Sequence, residues 1–489
     1  MNRQIRRVAL AMLAGFLALF LNLSWIQLVR AEKLANDPRN TRLLLKEYSI
    51  ERGAILSADG RQILADSKPT PDQALKFLRE YPKGPLFSDV TGYYSIRFGR
   101  TGLEQLFNKE LTGQGGVITM QDLNDRLFTG KEKGDNLVLT LDTRLQQAAN
   151  DALTASGHKG AVVALDPASG AVLAMITSPS FDPNPLSQHD ANLQQTAFEA
   201  MVKDANRSGL NRATLATFPP GSTMKLITAA AALENGLGPD TSYPPAKNYQ
   251  PAQTDKPIGN FGGSTCGGNM AEALKVSCNS YFAHLGADLP QGAFEKTAKA
   301  FGFTSVPPFD LKAAASKLPT AAQLRSPAFA AQSAIGQFDV AATPLQMALV
   351  VAAMGEGGKV PTPHVVAQIE DARGSVVKKL ETKTWNQALS EQTANIIKGM
   401  MVAVVDGGTG RAAHIDGVSI AGKTGTAQVG AQGSDTDAWF VCFAPADSPK
   451  IALAIVVEGA GDPKNETGGR LAAPIAKKIL EASRGVLGW

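Results

Sequence analysis

The chain has 489 residues, too many for one ordinary hydrophobic core, and its 44% hydrophobic and 19% charged content is that of a folded protein. Its formal net charge of +4 is spread along the chain rather than gathered in a patch, which removes the electrostatic case for a nucleic-acid partner. Five histidines and three cysteines are too scattered for a zinc-ligand spacing, so neither a structural metal nor a cofactor is expected.

At the N-terminus, Arg3, Arg6 and Arg7 precede an uncharged, mostly apolar run from Val8 to Val29. As helix, at ~1.5 Å per residue, such a run just crosses a hydrocarbon core of ~30 Å. Asn22, Ser24, Trp25 and Gln27 lie toward its far end, where a polar interface begins. The arginine bias puts the N-terminus inside and the rest of the chain outside. A cleaved signal peptide ending near Val29-Arg30-Ala31 is the competing reading, and it exports the protein equally.

From Ala31 to about Gly134 the pattern is mixed. Asp37-Pro38-Arg39-Asn40 opens this stretch, and Arg52-Gly53-Ala54-Ile55-Leu56 reads as a strand. Asp59-Gly60 is a hairpin-turn dipeptide, and Gly102 to Phe107 reads as a short helix. No catalytic constellation appears here, so the expectation is a packing and interaction module. Leu137 to Leu141 reads as a strand, with Asp142 or Thr143 capping a helix that runs through Leu153. Ala161 to Thr177 reads as a hairpin turning at Asp166-Pro167-Ala168-Ser169-Gly170. An alanine-rich helical middle follows. Strands return at Ser419 to Val429, Ala438 to Phe443 and Ile451 to Val457, before a last helix over Ala472 to Ser483. Strands at both ends with helices between predict an α+β fold, an antiparallel sheet packed on helices.

Three short strings carry the chemistry: Ser222-Thr223-Met224-Lys225, Ser277-Cys278-Asn279 and Lys423-Thr424-Gly425-Thr426. Ser-x-x-Lys alone means little, since it recurs at Ser156 to Lys159 and at Ser375 to Lys378. Only Ser222 follows Phe218-Pro219-Pro220-Gly221 and leads into an uninterrupted helical stretch ending at Gly236. A hydroxyl at a helix start meets the positive end of the helix dipole. A lysine three residues on lies on the same face, within predicted hydrogen-bond reach. To serve as a base, Lys225 needs a pKa well below ~10.4, which burial and the charge of Lys423 would supply. Ser277 suits a proton relay, and Asn279 suits positioning of a peptide. On a strand, Lys423 offers positive charge, Gly425 close backbone approach, and Thr424 and Thr426 hydroxyls for a carboxylate.

These strings, with Ala164-Leu165-Asp166-Pro167, Ser333-Ala334-Ile335-Gly336-Gln337 and Thr343-Pro344-Leu345-Gln346-Met347-Ala348, resemble a class B penicillin-binding protein. Within that class the chain is most similar to the penicillin-binding protein A group of actinobacteria. The resemblance covers essentially the whole chain. It implies a cytoplasmic tip and single transmembrane anchor over 1–30 and a non-catalytic, dimerisation or pedestal-like domain over 31–136. A transpeptidase domain of the penicillin-binding and serine β-lactamase type would occupy 137–489. It also implies Ser222 as acyl-ester nucleophile, Lys225 as its base, and the backbone N–H groups of Ser222 and Thr426 as an oxyanion hole. D-Ala-D-Ala stem peptides would be donors in cell-wall synthesis, serving cell division or cell shape, with β-lactams as covalent inhibitors. The catalytic domain would work outside the plasma membrane beside a separate glycosyltransferase.

The middle string departs from the β-lactamase pattern at Cys278, and no acidic residue is convincingly placed for deacylation; Glu391 and Asn395 sit in a helical stretch. That favours a transpeptidase over a carboxypeptidase or β-lactamase, while intact strings argue against a non-catalytic sensor or scaffold. Cys266 and Cys278, twelve positions apart, either pair in an oxidising exterior or remain two small buried thiols, and the sequence leaves both open. Cys442, inside an apolar run, is expected to be core.

Overall fold

A computed structural model of the chain describes residues 2–30, 41–115, 133–429, 435–461 and 465–489. The Asp37 to Asn40 opening lies outside the described residues, as does Ala31 of the alternative cleavage site. One helix covers Asn2–Leu28, and its side chains, Phe16 at 72% and Leu13 at 67% among them, stand exposed all round. A helix apolar on every face, with a mean hydropathy of 2.0, has no protein core to enter and is long enough to cross a membrane.

The centre of the molecule is a five-stranded, wholly antiparallel sheet. Its strands run Ala421–Val429, Asp435–Ala444, Ile451–Glu458, Lys159–Leu165 and Val172–Ser178, in that spatial order. Successive strand residues point to opposite faces, and here both faces are covered. Phe440, Cys442, Leu453 and Ile455 meet the helices Thr143–Thr154 and Ala472–Leu487 on one side. Trp439, Val441, Ala454 and Val456 join the core beneath Lys225–Glu234, Pro344–Gly355 and Glu391–Gly407 on the other. Double coverage explains why the central strands read as continuous apolar runs rather than alternations. The α+β fold, the hairpin between 159 and 178, and the Asp142 cap, which accepts from Arg144 N and Leu145 N, agree with the sequence reading.

A second, six-stranded sheet joins the N-terminal segment to the rest. Ile55–Leu56 pairs parallel with Asn136–Leu139, whose other edge pairs with Val366–Glu370. The predicted strand over Arg52–Leu56 shortens to Ile55–Leu56. A Cβ on Gly53 would fall 1.9 Å from Asp135 O, so the backbones touch there, and Arg52 turns inward to a buried ion cluster. That cluster joins Arg52 Nε to Glu104 Oε2 at 2.5 Å and Arg79 Nε to Glu104 Oε1 at 2.7 Å. Glu104 lies in the helix Gly102–Leu106. Burial pushes its carboxyl up, but Arg79 and Arg52 outweigh that and hold it below its usual range.

Candidate active site

Ser222 sits in a tight 3-10 turn, Gly221–Met224, that runs directly into the helix Lys225–Glu234. Thr223 closes the turn by donating its N–H and hydroxyl to Pro220 O, and Trp439 Nε1 donates to Pro219 O at 3.0 Å. Gly221 has φ +52, a conformation costly for other residues, and a Cβ there would come within 2.8 Å of Thr426 O. Its N–H donates to Gly336 O at 3.0 Å. The Ser333 to Gln337 string thus braces the turn, a role its residue types alone did not reveal.

The Ser277 string connects two helices. Asn269 and Glu272 form a capping box on Met270–Lys275, and Asn279 opens Asn279–Asp288. Between them Ser277 takes φ +58, while Ser277 N donates to Leu274 O and Cys278 N to Ala273 O. A non-glycine residue held in the left-handed region is a common mark of a functional site. Cys266 and Cys278 are joined as a disulfide with Cα atoms 5.8 Å apart, and Cys442 is a buried free thiol.

Strand Ala421–Val429 brings the third string alongside. Lys225 Nζ donates to Ser277 O at 2.7 Å, to Asn279 Oδ1 at 2.6 Å and to Ser277 Oγ at 3.3 Å. Lys423 Nζ donates to the same Ser277 Oγ at 2.8 Å and to Thr424 O at 2.9 Å. Segments 52 and 146 residues from Ser277 thus meet on one hydroxyl. Both lysines are fully buried, whereas Ser222, Ser277, Asn279 and Thr426 are half-exposed. Among the described residues neither lysine has a carboxylate partner. Burial, then the charge of Lys423, drives the Lys225 pKa well below its ordinary value. Burial alone brings Lys423 down to about 7.

Three details differ from the sequence reading. Among the described residues no hydrogen bond joins Ser222 Oγ to Lys225 Nζ, because the amine is turned toward Ser277 and Asn279. Gly425 is required by packing: a Cβ would lie 2.8 Å from Pro220 O and 2.9 Å from both Thr223 Cγ2 and Trp439 Cβ, so the bare backbone lets the Ser222 turn close on the strand. The Thr424 hydroxyl pairs with that of Thr409 at 2.7 Å, while the Thr426 hydroxyl accepts from Gly468 N and keeps its proton to donate. Thr409 was missed; its sole sequence signal is the glycine-rich turn Gly407-Gly408-Thr409-Gly410. Glu391 and Asn395 lie exposed on the helix Glu391–Gly407.

The site thus gathers a half-exposed hydroxyl on a tight turn, two buried amines of lowered pKa and an amide at the rim. Sequence comparison agrees. The penicillin binding protein transpeptidase domain matches residues 160–481, and the penicillin binding protein A dimerisation domain matches 52–137. Peptidoglycan D,D-transpeptidase PbpA of Mycolicibacterium smegmatis is 38% identical over 99% of both chains, and its Mycobacterium tuberculosis counterpart is 37% identical over the same shares. The solved penicillin G acyl-enzyme of penicillin-binding protein A from M. tuberculosis superposes with a TM-score of 0.82 at 35% identity, covering 89% of this chain and 99% of that one. The chain belongs to the penicillin-binding protein transpeptidase family, in the class B group typified by mycobacterial PbpA.

Proposed function

We propose that this protein is a membrane-anchored peptidoglycan D,D-transpeptidase that cross-links stem peptides through a serine acyl-enzyme and is acylated by β-lactams. The observation carrying this reading is the convergence of Lys225 and Lys423 on Ser277 beside the Ser222 turn. Ser222 Oγ attacks the carbonyl of the penultimate D-Ala and passes its proton to the neutral Lys225 amine. The tetrahedral oxyanion is received by the backbone N–H groups of Ser222 and Thr426, the latter on the strand against which the Ser222 turn packs. Collapse breaks the peptide bond, and the departing D-Ala amine takes a proton relayed from Lys225 through Ser277. An amine of a second stem peptide then attacks the ester and loses its proton to Lys225, which hands it to the departing Ser222 Oγ as the ester bond breaks. Asn279 orients the peptide, and Lys423 with the Thr426 hydroxyl holds the terminal carboxylate.

The division of labour follows the same reading: anchor over 1–30, non-catalytic module over 31–136, transpeptidase over 137–489. The N-terminus is cytoplasmic, the catalytic segment is outside, and the glycan chains come from a separate glycosyltransferase.

The test is intact mass spectrometry of the protein with penicillin, followed by peptide mapping. One slowly cleared adduct on Ser222, absent in Ser222→Ala, is expected. Rapid clearance would move the assignment to a hydrolase, and an adduct elsewhere would overturn the nucleophile.

A further inference from the structure

The Ser277–Asn279 connection is held from outside its own helices by a residue in none of the three strings. Gly259 and Asn260 lie beside Asn279 and Ser280 and grip them reciprocally. Asn279 Nδ2 donates to Gly259 O at 3.0 Å, and Ser280 N donates to Asn260 Oδ1 at 2.8 Å. Asn260 Nδ2 in turn donates to Ala246 O at 2.8 Å, Ser264 O at 3.0 Å and Ser280 Oγ at 3.1 Å. Asn260 is only 8% exposed, while Gly259 and most of the segment around it are exposed. A buried amide that uses both ends on main chain from three separated places fixes those places relative to one another.

We infer that Asn260 is a positioning residue for acylation, acting through the amide orientation of Asn279. Gly259 O takes the donor end of the Asn279 amide, which leaves Oδ1, 2.6 Å away, to accept from Lys225 Nζ. A flipped amide would point its own N–H groups at the Lys225 donors. The carbonyl that prevents the flip is held by the antiparallel pairing of Ile258–Gly259 with Asn248–Tyr249, by Asn260 N donating to Lys247 O at 3.1 Å, and, toward the Asn279 connection, by the side chain of Asn260. The Cys266–Cys278 disulfide ties the neighbouring strand Cys266–Gly268 to the same connection, but it does not reach Gly259.

This inference rests on Ser222 and Lys225 acting as proposed above. Asn260→Ala removes the side-chain part of that grip and leaves the strand pairing of Gly259 in place. Asn260→Asp has nearly the same shape and keeps the acceptor for Ser280 N–H, but loses both N–H donors that serve Ala246 O, Ser264 O and Ser280 Oγ. Full-length protein in detergent is titrated with a fluorescent penicillin, and the second-order acylation rate constant is followed from pH 5 to 9. Asn260→Ala is expected to titrate to full stoichiometry yet acylate about tenfold more slowly, with Asn260→Asp in between. Losing the Asn279 acceptor disfavours the Lys225 ammonium, so the acid limb of the rate profile moves to lower pH. A folded variant with the wild-type rate constant and limb would overturn the inference. So would a reduced titratable fraction in which the surviving molecules react at the wild-type rate, since that is what a structural role alone gives. Wild-type protein that takes no adduct on Ser222 would instead defeat the underlying reading.

Discussion

Two buried charge clusters stand in this molecule, and they are built on opposite terms. In the N-terminal segment, Arg52 and Arg79 share Glu104, so burial is answered by opposite charge and the carboxylate stays ionised. In the catalytic cleft, Lys225 and Lys423 are equally buried and share only the neutral oxygen of Ser277. There burial has no opposite charge to answer it, and the pKa of both amines is pushed down. A paired cluster holds a shape; an unpaired one holds a base ready.

Substitutions that treat the two clusters alike therefore have unlike consequences. Lys225→Met is expected to slow penicillin acylation by about 10²–10⁴-fold, measured by stopped flow with a fluorescent penicillin. Its effect on stability depends on pH. The folded amine has a depressed pKa and the unfolded one sits near ~10.4, so the unfolded chain binds more protons between those values and wild-type stability rises with pH there. Denaturant melts should show the difference between wild type and Lys225→Met moving in favour of wild type from neutral pH toward about 10. Arg52→Met leaves Glu104 short of one partner and is expected to cost about 3–5 kcal/mol of stability, nearly constant from about pH 6 to 10, with acylation by the folded fraction unchanged. Gly425→Ala tests the join between turn and strand: overpacking against Pro220 O should cost about 1–3 kcal/mol and slow acylation, without altering the pH profile.

The sequence was most readable where chemistry and local structure coincide. A serine after Pro-Pro-Gly before an alanine-rich helix, and a lysine-threonine-glycine strand, declare the elements on which they sit. The doubly covered sheet was readable too, because its strands are apolar throughout. What stayed hidden depends on contacts between distant segments, which leave no periodic mark. The Gly336 brace on Gly221, the Thr409 partner of Thr424 and the true constraint on Gly425 are of this kind. Arg52, Arg79 and Glu104 read as three ordinary charges until the fold buries them together. Lys225 is instructive in between: its spacing predicted a hydrogen bond to Ser222, but its amine is turned to Ser277 and Asn279, which spacing cannot see.

The most direct test is the pH dependence of second-order penicillin acylation, compared between wild type and Lys423→Ala. With burial and the Lys423 charge holding the Lys225 pKa well below its ordinary value, the wild-type rate should fall only on acidification, along a limb well below pH 10. Removing the Lys423 charge lifts one of the two pressures on Lys225, so in Lys423→Ala that limb should move to higher pH even though the amplitude drops. A wild-type rate that climbs tenfold per pH unit up to about pH 10, as an ordinary solvated lysine would dictate, would contradict the account.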